Sequence, residues 1–505
     1  MRKLLLASVA LAGGFAGTVS VANAEALVNI QQPGVIPGAM SPPGFGTASP
    51  STTPQLPGTI TVRLDARVIV NVYGGYDTGR KATVTPVAGG APAAGVAGTS
   101  GGGTGLSLGS PASNTKQASY GMGSYARLYP QFVGVAANGL KYGAFLEIRQ
   151  DDGAPPGGGA NGGVSVSNRT RATLYFRREY AYLGTDSFGF VRVGSVDQPT
   201  STYMTGSMEN FDDGGWNGDA PSFFSGNSTP TWPFPDVGNL YTSDKIVYLS
   251  PSLFGFDGGI SFEPSTAAMN SGPGNCPYGV TASAGFIAGG QTGGATSYGC
   301  DAASSTTSGD NGRRRNTIDA VLRYRAAFGP VGIALTAGGM YGGRVLDNST
   351  PSKAVQFNNL AVFDGGAQIV FGGLTVGGHV DYGKFNGQWS LAPQHVHDSF
   401  AGIAGASYAI GPFIAGFHYF DYTSPGSRNA TTVGIGTRNE QGVAIGSTYQ
   451  LTQGVYFFAS GVYGARHEVG VDLLSGATGA TLATQVKTNN NTRAVGGLIG
   501  TLFKW

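Results

Sequence analysis

Between Ser195 and Leu240 the chain carries Asp197, Glu209, Asp212, Asp213, Asp219 and Asp236 and no lysine or arginine. Such fixed negative charge can bias ions and orient polar solutes without any reaction, or it can stand in a solvated outer loop. The other reactive residue types form weaker constellations. His395 and His397 make an H-x-H with Asp398 beside it. Two imidazoles can ligate a metal, but no third or fourth ligand can be assigned, so no metal site is expected. His379 and Asp381 share one face of the segment Leu374–Tyr382, directed at a lumen. Nucleophilic catalysis needs a serine held against an oriented base. No serine here has a recognisable nucleophile motif, so no catalytic residues are assigned. The Gly98–Gly105 tract does not continue as GKS or GKT. It reads as flexible loop rather than a phosphate cradle, and no cofactor is implied.

The elements around the acidic stretch are strands. Thr170–Leu183 and Phe188–Gly194 flank a short Gly184–Ser187 turn upstream; Asp244–Ser250 and Phe256–Glu263 flank Pro251–Gly255 downstream. Period-two alternation is clearest over Thr61–Tyr73. Val62, Leu64, Ala66, Val68, Val70 and Val72 take one face; Arg63, Asp65, Arg67, Asn71 and Tyr73 take the other. In a membrane barrel the first face meets lipid and the second lines water; in a soluble sandwich the first would meet a second sheet. The same alternation recurs, giving sixteen strands joined by seven short Gly-, Asn- and Pro-containing turns and eight long loops. Short turns at one end, long loops at the other and an even strand number predict an all-β, antiparallel transmembrane barrel over residues 59–505. No fixed-period repeat suggests a propeller or β-helix. The last strand, Thr492–Trp505, puts Val495, Ile499, Phe503 and Trp505 on one parity. It must pair with Thr61–Tyr73, because lipid offers no hydrogen bonds to an open edge. Tyr419, Tyr422, Tyr449, Phe503 and Trp505 are expected in aromatic girdles.

The N-terminus MRKLLLASVALAGGFAGTVSVANA has a basic start, a short apolar core and an Ala22-Asn23-Ala24 site. It reads as an export signal over residues 1–24, cleaved after Ala24. Its apolar run is too short for a spanning helix. Loss of Arg2 and Lys3 would lower the 30 basic residues to 28, equal to the 28 acidic ones. That balance argues against a nucleic-acid partner. Charged residues make up 11% of the chain, against about 25% in soluble proteins. Residues 25–58 are rich in Pro, Gly, Ser and Thr and read as an extended segment. Cys276 and Cys300 share one Gly/Ser/Thr-rich stretch. In an exported chain a disulfide is the default, unlinked thiols the alternative.

Four segments resemble the Gram-negative general porins, trimeric sixteen-stranded diffusion channels. They are NGLKYGAFLE at Asn138–Glu147, RREYAYLG at Arg177–Gly184 with FGFVRVG at Phe188–Gly194, DKIVYLSPSLFGFDGGISF at Asp244–Phe262, and YQLTQGVYFFASGVYG at Tyr449–Gly464. The resemblance covers about Thr59 to Trp505. It lacks the PEFGG-type turn of enteric members, and the first and fourth loops are unusually long. In that family the third loop bends inward and faces a ladder of wall arginines. By position the resemblance makes Asp197, Glu209, Asp212, Asp213 and Asp219 the acidic members. By parity Arg63, Arg67, Arg127, Arg149 and Arg192 face inward. At the next pair, hydropathy puts Arg177 and Glu179 inward while the resemblance puts Arg178 there, and one register slip exchanges the two.

The expected protein is an outer-membrane porin of a Gram-negative bacterium, in contact with lipid and lipopolysaccharide. The resemblance implies a homotrimer passing small hydrophilic solutes and ions. The alternative is a substrate-specific sugar or anion channel, and Tyr203, Phe211, Trp216, Phe223, Phe224 and Trp232 in the third loop would supply an aromatic track. An adhesin anchor would need a longer passenger than residues 25–58. A barrel enzyme lacks its nucleophile motif.

Overall fold

The computed structural model describes residues 57–78, 119–150, 174–208, 210–211, 214–224, 228–235, 243–265, 315–344, 358–387, 389, 391–392, 394–426, 437–471, 473 and 489–505, with short ladder fragments at 286–287, 291–292, 305–306 and 346–347. Cys276 and Cys300 lie outside the described residues, as do Glu209, Asp212, Asp213 and Asp236.

Sixteen strands close into one antiparallel barrel. They are β1 (Ile60–Asp77), β2 (Tyr120–Val135), β3 (Lys141–Gln150), β4 (Tyr175–Thr185), β5 (Gly189–Val196), β6 (Ser243–Leu249), β7 (Phe256–Ser265) and β8 (Arg315–Phe328). Then follow β9 (Val331–Gly343), β10 (Leu360–Phe371), β11 (Leu374–Lys384), β12 (Ser399–Ile410), β13 (Phe413–Ser424), β14 (Arg438–Thr452), β15 (Val455–Glu468) and β16 (Asn491–Lys504). Neighbours in sequence pair, and β16 pairs with β1 from Arg67↔Lys504 to Asp77↔Ala494. Trp505 extends that seam through reciprocal backbone bonds with Ala66 (3.0 and 3.1 Å). Closure leaves no strand edge, which is the condition for a sheet to stand in hydrocarbon.

The alternation sorts residues as their chemistry requires. Val62, Leu64 and Val72 are exposed on the outer face of β1, while Arg67, Ile69 and Asn71 are buried toward the interior. Tight two-residue turns such as 372–373 and 411–412 need a left-handed residue, supplied by Gly372 (φ 58°) and Gly411 (φ 56°). Tyr419, Tyr449, Phe503 and Trp505 are exposed on the outer wall. Tyr422 departs from the girdle expectation. It is fully buried, faces inward and donates its hydroxyl to Gly387 O at 3.0 Å. Tyr419 and Tyr422 have opposite parity, so one strand cannot turn both to lipid.

The described parts of the third and sixth long connections fold into the barrel rather than away from it. The third, residues 197–242, carries a short helix α1 (Pro199–Tyr203) and a 3-10 turn at Ala220–Ser222. The sixth, residues 385–398, inserts Phe385, Trp389 and Leu391. Together with the inner faces of β9–β16 they form an apolar cluster that includes Trp216, Trp232, Phe234, Met340, Ile403 and Phe420. A water-filled lumen would have a polar wall there. Here an apolar cluster, with buried polar residues such as Ser407, Glu440 and Arg466 around it, packs against both loops and holds them in place.

Candidate functional site

The third loop starts from a cluster of buried charge. Glu147 on β3, Arg177 and Arg178 on β4, and Asp197 just past β5 meet there. Arg177 Nη1 donates to Glu147 Oε2 (2.9 Å) and Nη2 to Asp197 Oδ1 (2.6 Å). Arg178 Nη1 donates to Asp197 Oδ2 (2.7 Å) and its Nε to Glu147. Arg149 Nε completes the group at 2.5 Å from Glu147 Oε1.

A β-bulge makes this possible. Glu147 pairs with Arg178 but Ile148 pairs with Phe176, leaving Arg177 as the extra residue. A bulge interrupts strict alternation, so two consecutive arginines reach the same carboxylates. Glu179 is turned outward and exposed. The choice between Arg177 and Arg178 rested on a regular strand, and the strand is not regular at that point. Burial opposes the Asp197 charge, but Arg177 and then Arg178 prevail and hold its carboxyl below the usual range.

From Asp197 the loop is fastened to the inner wall step by step. Pro199 opens α1, where its missing N–H costs nothing. The Thr200 backbone N–H and Oγ1 donate to Asp319 of β8 (3.0 and 2.6 Å). Tyr203 is covered by Arg323, whose guanidinium lies 4.7 Å from the ring centroid. Gly206, at φ 86°, lies so close that an added Cβ would stand 2.1 Å from Gly378 O. Asn210 Nδ2 donates to Ser407 Oγ (2.8 Å), and Trp216 Nε1 to Val443 O (2.9 Å). The loop then reaches β1. There Asn71 Nδ2 donates to Asp219 Oδ2 (2.8 Å), and Phe223 stacks on Tyr73 at 3.8 Å.

The opposite wall, β1–β5, is basic and aromatic. Arg63, Arg67, Arg127, Arg149 and Arg192 lie on its inner face, with Arg63 and Arg127 only half-buried. Arg67 and Arg127 lie 5.4 and 4.6 Å from the Tyr125 ring centroid. Arg178 covers Phe145 at 5.0 Å and Arg192 covers Tyr180 at 5.1 Å. A ring beside each of these four guanidinium groups holds the charge in position. Of the sequence-derived acids, Asp197 is consumed by arginines and Asp219 is bonded to Asn71.

Of the six rings that would form a sugar track, Tyr203, Phe211, Trp216 and Trp232 are buried against the wall. A sugar needs an exposed ring face, so these four act as loop anchors. Sequence reasoning missed Glu147, Asp257, Asp319, Arg323 and Arg325. Asp257 accepts from Arg323 (2.8 Å twice) and Arg325 (2.5 Å). The signal was present in the parity of the two β8 arginines and of Asp257 on β7, which pairs with Arg323. His395 and His397 are both exposed; the His397 ring lies 2.8 Å from Asp398 O and 3.1 Å from Thr437 Oγ1.

A closed sixteen-strand barrel with a loop packed inside it is the architecture of a channel protein. The family model described as Gram-negative porin matches residues 69–467, and the chain belongs to that family of outer-membrane channel proteins. Among solved structures it is similar to the anion-selective porin from Comamonas acidovorans, at 15% identity and TM-score 0.47, covering 88% of this chain and 100% of that one. It is also similar to an in-vitro folded outer-membrane protein of Vibrio cholerae in trimer form, at 13% identity and TM-score 0.42, covering 88% of this chain and 99% of that one. A mutant of the Rh. blastica porin gives 14% identity and TM-score 0.43 over 88% and 100%. No curated protein sequence matches. The family assignment rests on the family match.

Proposed function

We propose that the protein is a general diffusion porin whose water path runs between the third loop and the β1–β5 wall. One observation supports this reading: between its start at Asp197 on Arg177 and Arg178 and its return to β1 at Asp219 and Phe223, the described loop is pinned along β8 and β11–β15, on the far side from the arginines of β1–β5. Guanidinium groups on that face and carboxylates on the loop would set up a transverse field. Polar solutes and ions can orient in it; apolar solutes would have to strip ordered water. Passage needs no cofactor and no energy input.

A second reading, an anion-preferring channel, also has an observation behind it. Arg63, Arg67, Arg127, Arg149, Arg177, Arg178 and Arg192 outnumber Asp65, Asp77, Glu147, Asp197 and Asp219 on the described surfaces of β1–β5 and the loop. Glu209, Asp212 and Asp213 would redress that balance if they line the slot. We further propose export by a signal cleaved after Ala24, a short extension over residues 25–58, and a homotrimer in contact with lipopolysaccharide.

Single-channel current in planar bilayers tests the reading, with the reversal potential taken under a salt gradient. The refolded chain should give large steps, and Asp212→Asn/Asp213→Asn should shift the reversal potential toward anions. Large steps with no shift would remove those acids from the slot. A folded barrel that does not conduct would overturn the porin reading.

A further inference from the structure

Asp364 on β10 and Asp381 on β11 are direct cross-strand partners, and both side chains are fully buried. Like charges directly opposite on a sheet repel, and in an apolar setting each carboxylate also loses its hydration. Among the described residues neither pairs with a lysine or arginine; what they share is His379, also fully buried. His379 Nε2 stands 2.7 Å from Asp364 Oδ2 and 3.3 Å from Asp381 Oδ1. Its Nδ1 lies 2.9 Å from Thr205 O, an acceptor that can take only an N–H. With the ring proton on Nδ1, the Nε2 lone pair points at two anionic groups. Something positive belongs between them.

A proton on Nε2 does not suffice. Two carboxylates and one imidazolium leave a net negative charge in the apolar cluster that holds Phe234, Leu360, Val362 and Ile403. Asp364 Oδ1 and Asp381 Oδ1 accept no hydrogen bond, although both residues have no exposure. A divalent cation would balance two carboxylates and a neutral imidazole and would use those oxygens. The surroundings also suit a metal. The Thr205 carbonyl would set the His379 tautomer, and Trp389 Nε1 donates to Asp381 Oδ2 at 3.1 Å, the kind of outer hydrogen bond that orients metal ligands. Ligands bound at about 2.0–2.1 Å around a tetrahedral ion stand about 3.3 Å apart, so Asp381 is already at the right distance and Asp364 must withdraw by about 0.6 Å.

We propose that Asp364, His379 and Asp381 form a buried site for a divalent cation of the zinc class. The site fastens the third loop to the wall. Thr205 is bonded to its imidazole, Phe234 of the same loop sets its ring edge-on to His379 at 5.9 Å, and Trp389 brings in the sixth loop. Imidazole with carboxylates suits zinc, whereas an all-oxygen set would suit calcium or magnesium.

The test uses the full refolded chain, stripped with chelator, loaded with zinc, desalted, and assayed for metal. About one zinc per chain should remain in the native sequence and in His395→Ala/His397→Ala, which removes the outer-loop histidines. Asp364→Asn and His379→Gln should each retain at least about tenfold less. Loss of all zinc from the native chain overturns the site and leaves the cluster neutralised by protons alone. Equal retention in all four proteins also overturns it. If a buried variant does not refold, cobalt in the native chain decides. Strong visible absorption of a low-coordinate cobalt site supports the proposal, and the faint spectrum of hydrated cobalt rejects it.

Discussion

Asp197 joins the wall chemistry to the loop. Two guanidinium groups converge on it, and removing one member of a buried ion pair leaves the others uncompensated, at about 3–5 kcal/mol. Asp197→Asn should therefore free the start of the loop while the barrel stays closed. The expected outcome is noisier single-channel current and faster protease cleavage between residues 197 and 242, with unchanged strand content by circular dichroism. Its pH dependence has a definite sign. The folded carboxyl titrates below its ordinary value of 3.8. The tether therefore contributes in full above that value and is lost as pH falls through the lowered one. Current noise in the native protein should be flat from pH 5 to 8 and rise only below about pH 4, and Asp197→Asn should abolish that rise. Gly206 belongs to the same scale. Its positive φ and its contact with Gly378 leave no room for a side chain, so this glycine reports how closely loop and wall approach.

Strands make up the next scale, and their two faces obey opposite rules. The lipid face tolerates shape changes but not charge. Ile445, near the middle of β14, is 61% exposed on the outer wall. Ile445→Arg should destabilise the refolded barrel by about 2–4 kcal/mol in vesicles, read as a shifted urea midpoint, while Ile445→Leu should be close to neutral. The inner face depends on which half of the barrel it belongs to. On β9–β16 it mixes an apolar cluster with buried polar groups such as Asp364, His379, Asp381, Glu440 and Arg466, and it carries the two inward loops. On β1–β8 it carries the guanidinium groups, their aromatic supports and the partner acids. The third loop touches both halves: its start and return meet β4, β8 and β1, and its middle lies on β11–β15.

Assembly, export and topology belong to the whole molecule. A trimer would appear as conductance steps in groups of three and as an oligomer band in unheated gel samples that collapses on boiling. A single-step channel with no such band would count against it. Export with cleavage after Ala24 predicts a mature N-terminus at Glu25 by mass spectrometry of the outer-membrane fraction; a retained Met1 would refute it.

Alternation, turn chemistry and the short–long rhythm of connections were enough to read the sixteen strands and the lipid face from the residues alone. Those features are local, and lipid and water enforce them strand by strand. The closing pair of β1 with β16 was also legible, because a sheet in hydrocarbon has no other way to satisfy its edges. What the sequence could not decide depends on contacts between residues far apart in the chain. The bulge that turns both Arg177 and Arg178 inward is a pairing irregularity with β3. The burial of Trp216 and Trp232 depends on where a loop lies against β13–β15. That Tyr422 is fully covered, with its hydroxyl donating to Gly387 O, depends on the sixth loop lying over it. The meeting of Asp364 with His379 and Asp381 requires the register of two strands and the arrival of Thr205 from some 170 residues away. Period-two patterning states which face a residue takes; only the packed barrel states what it meets there.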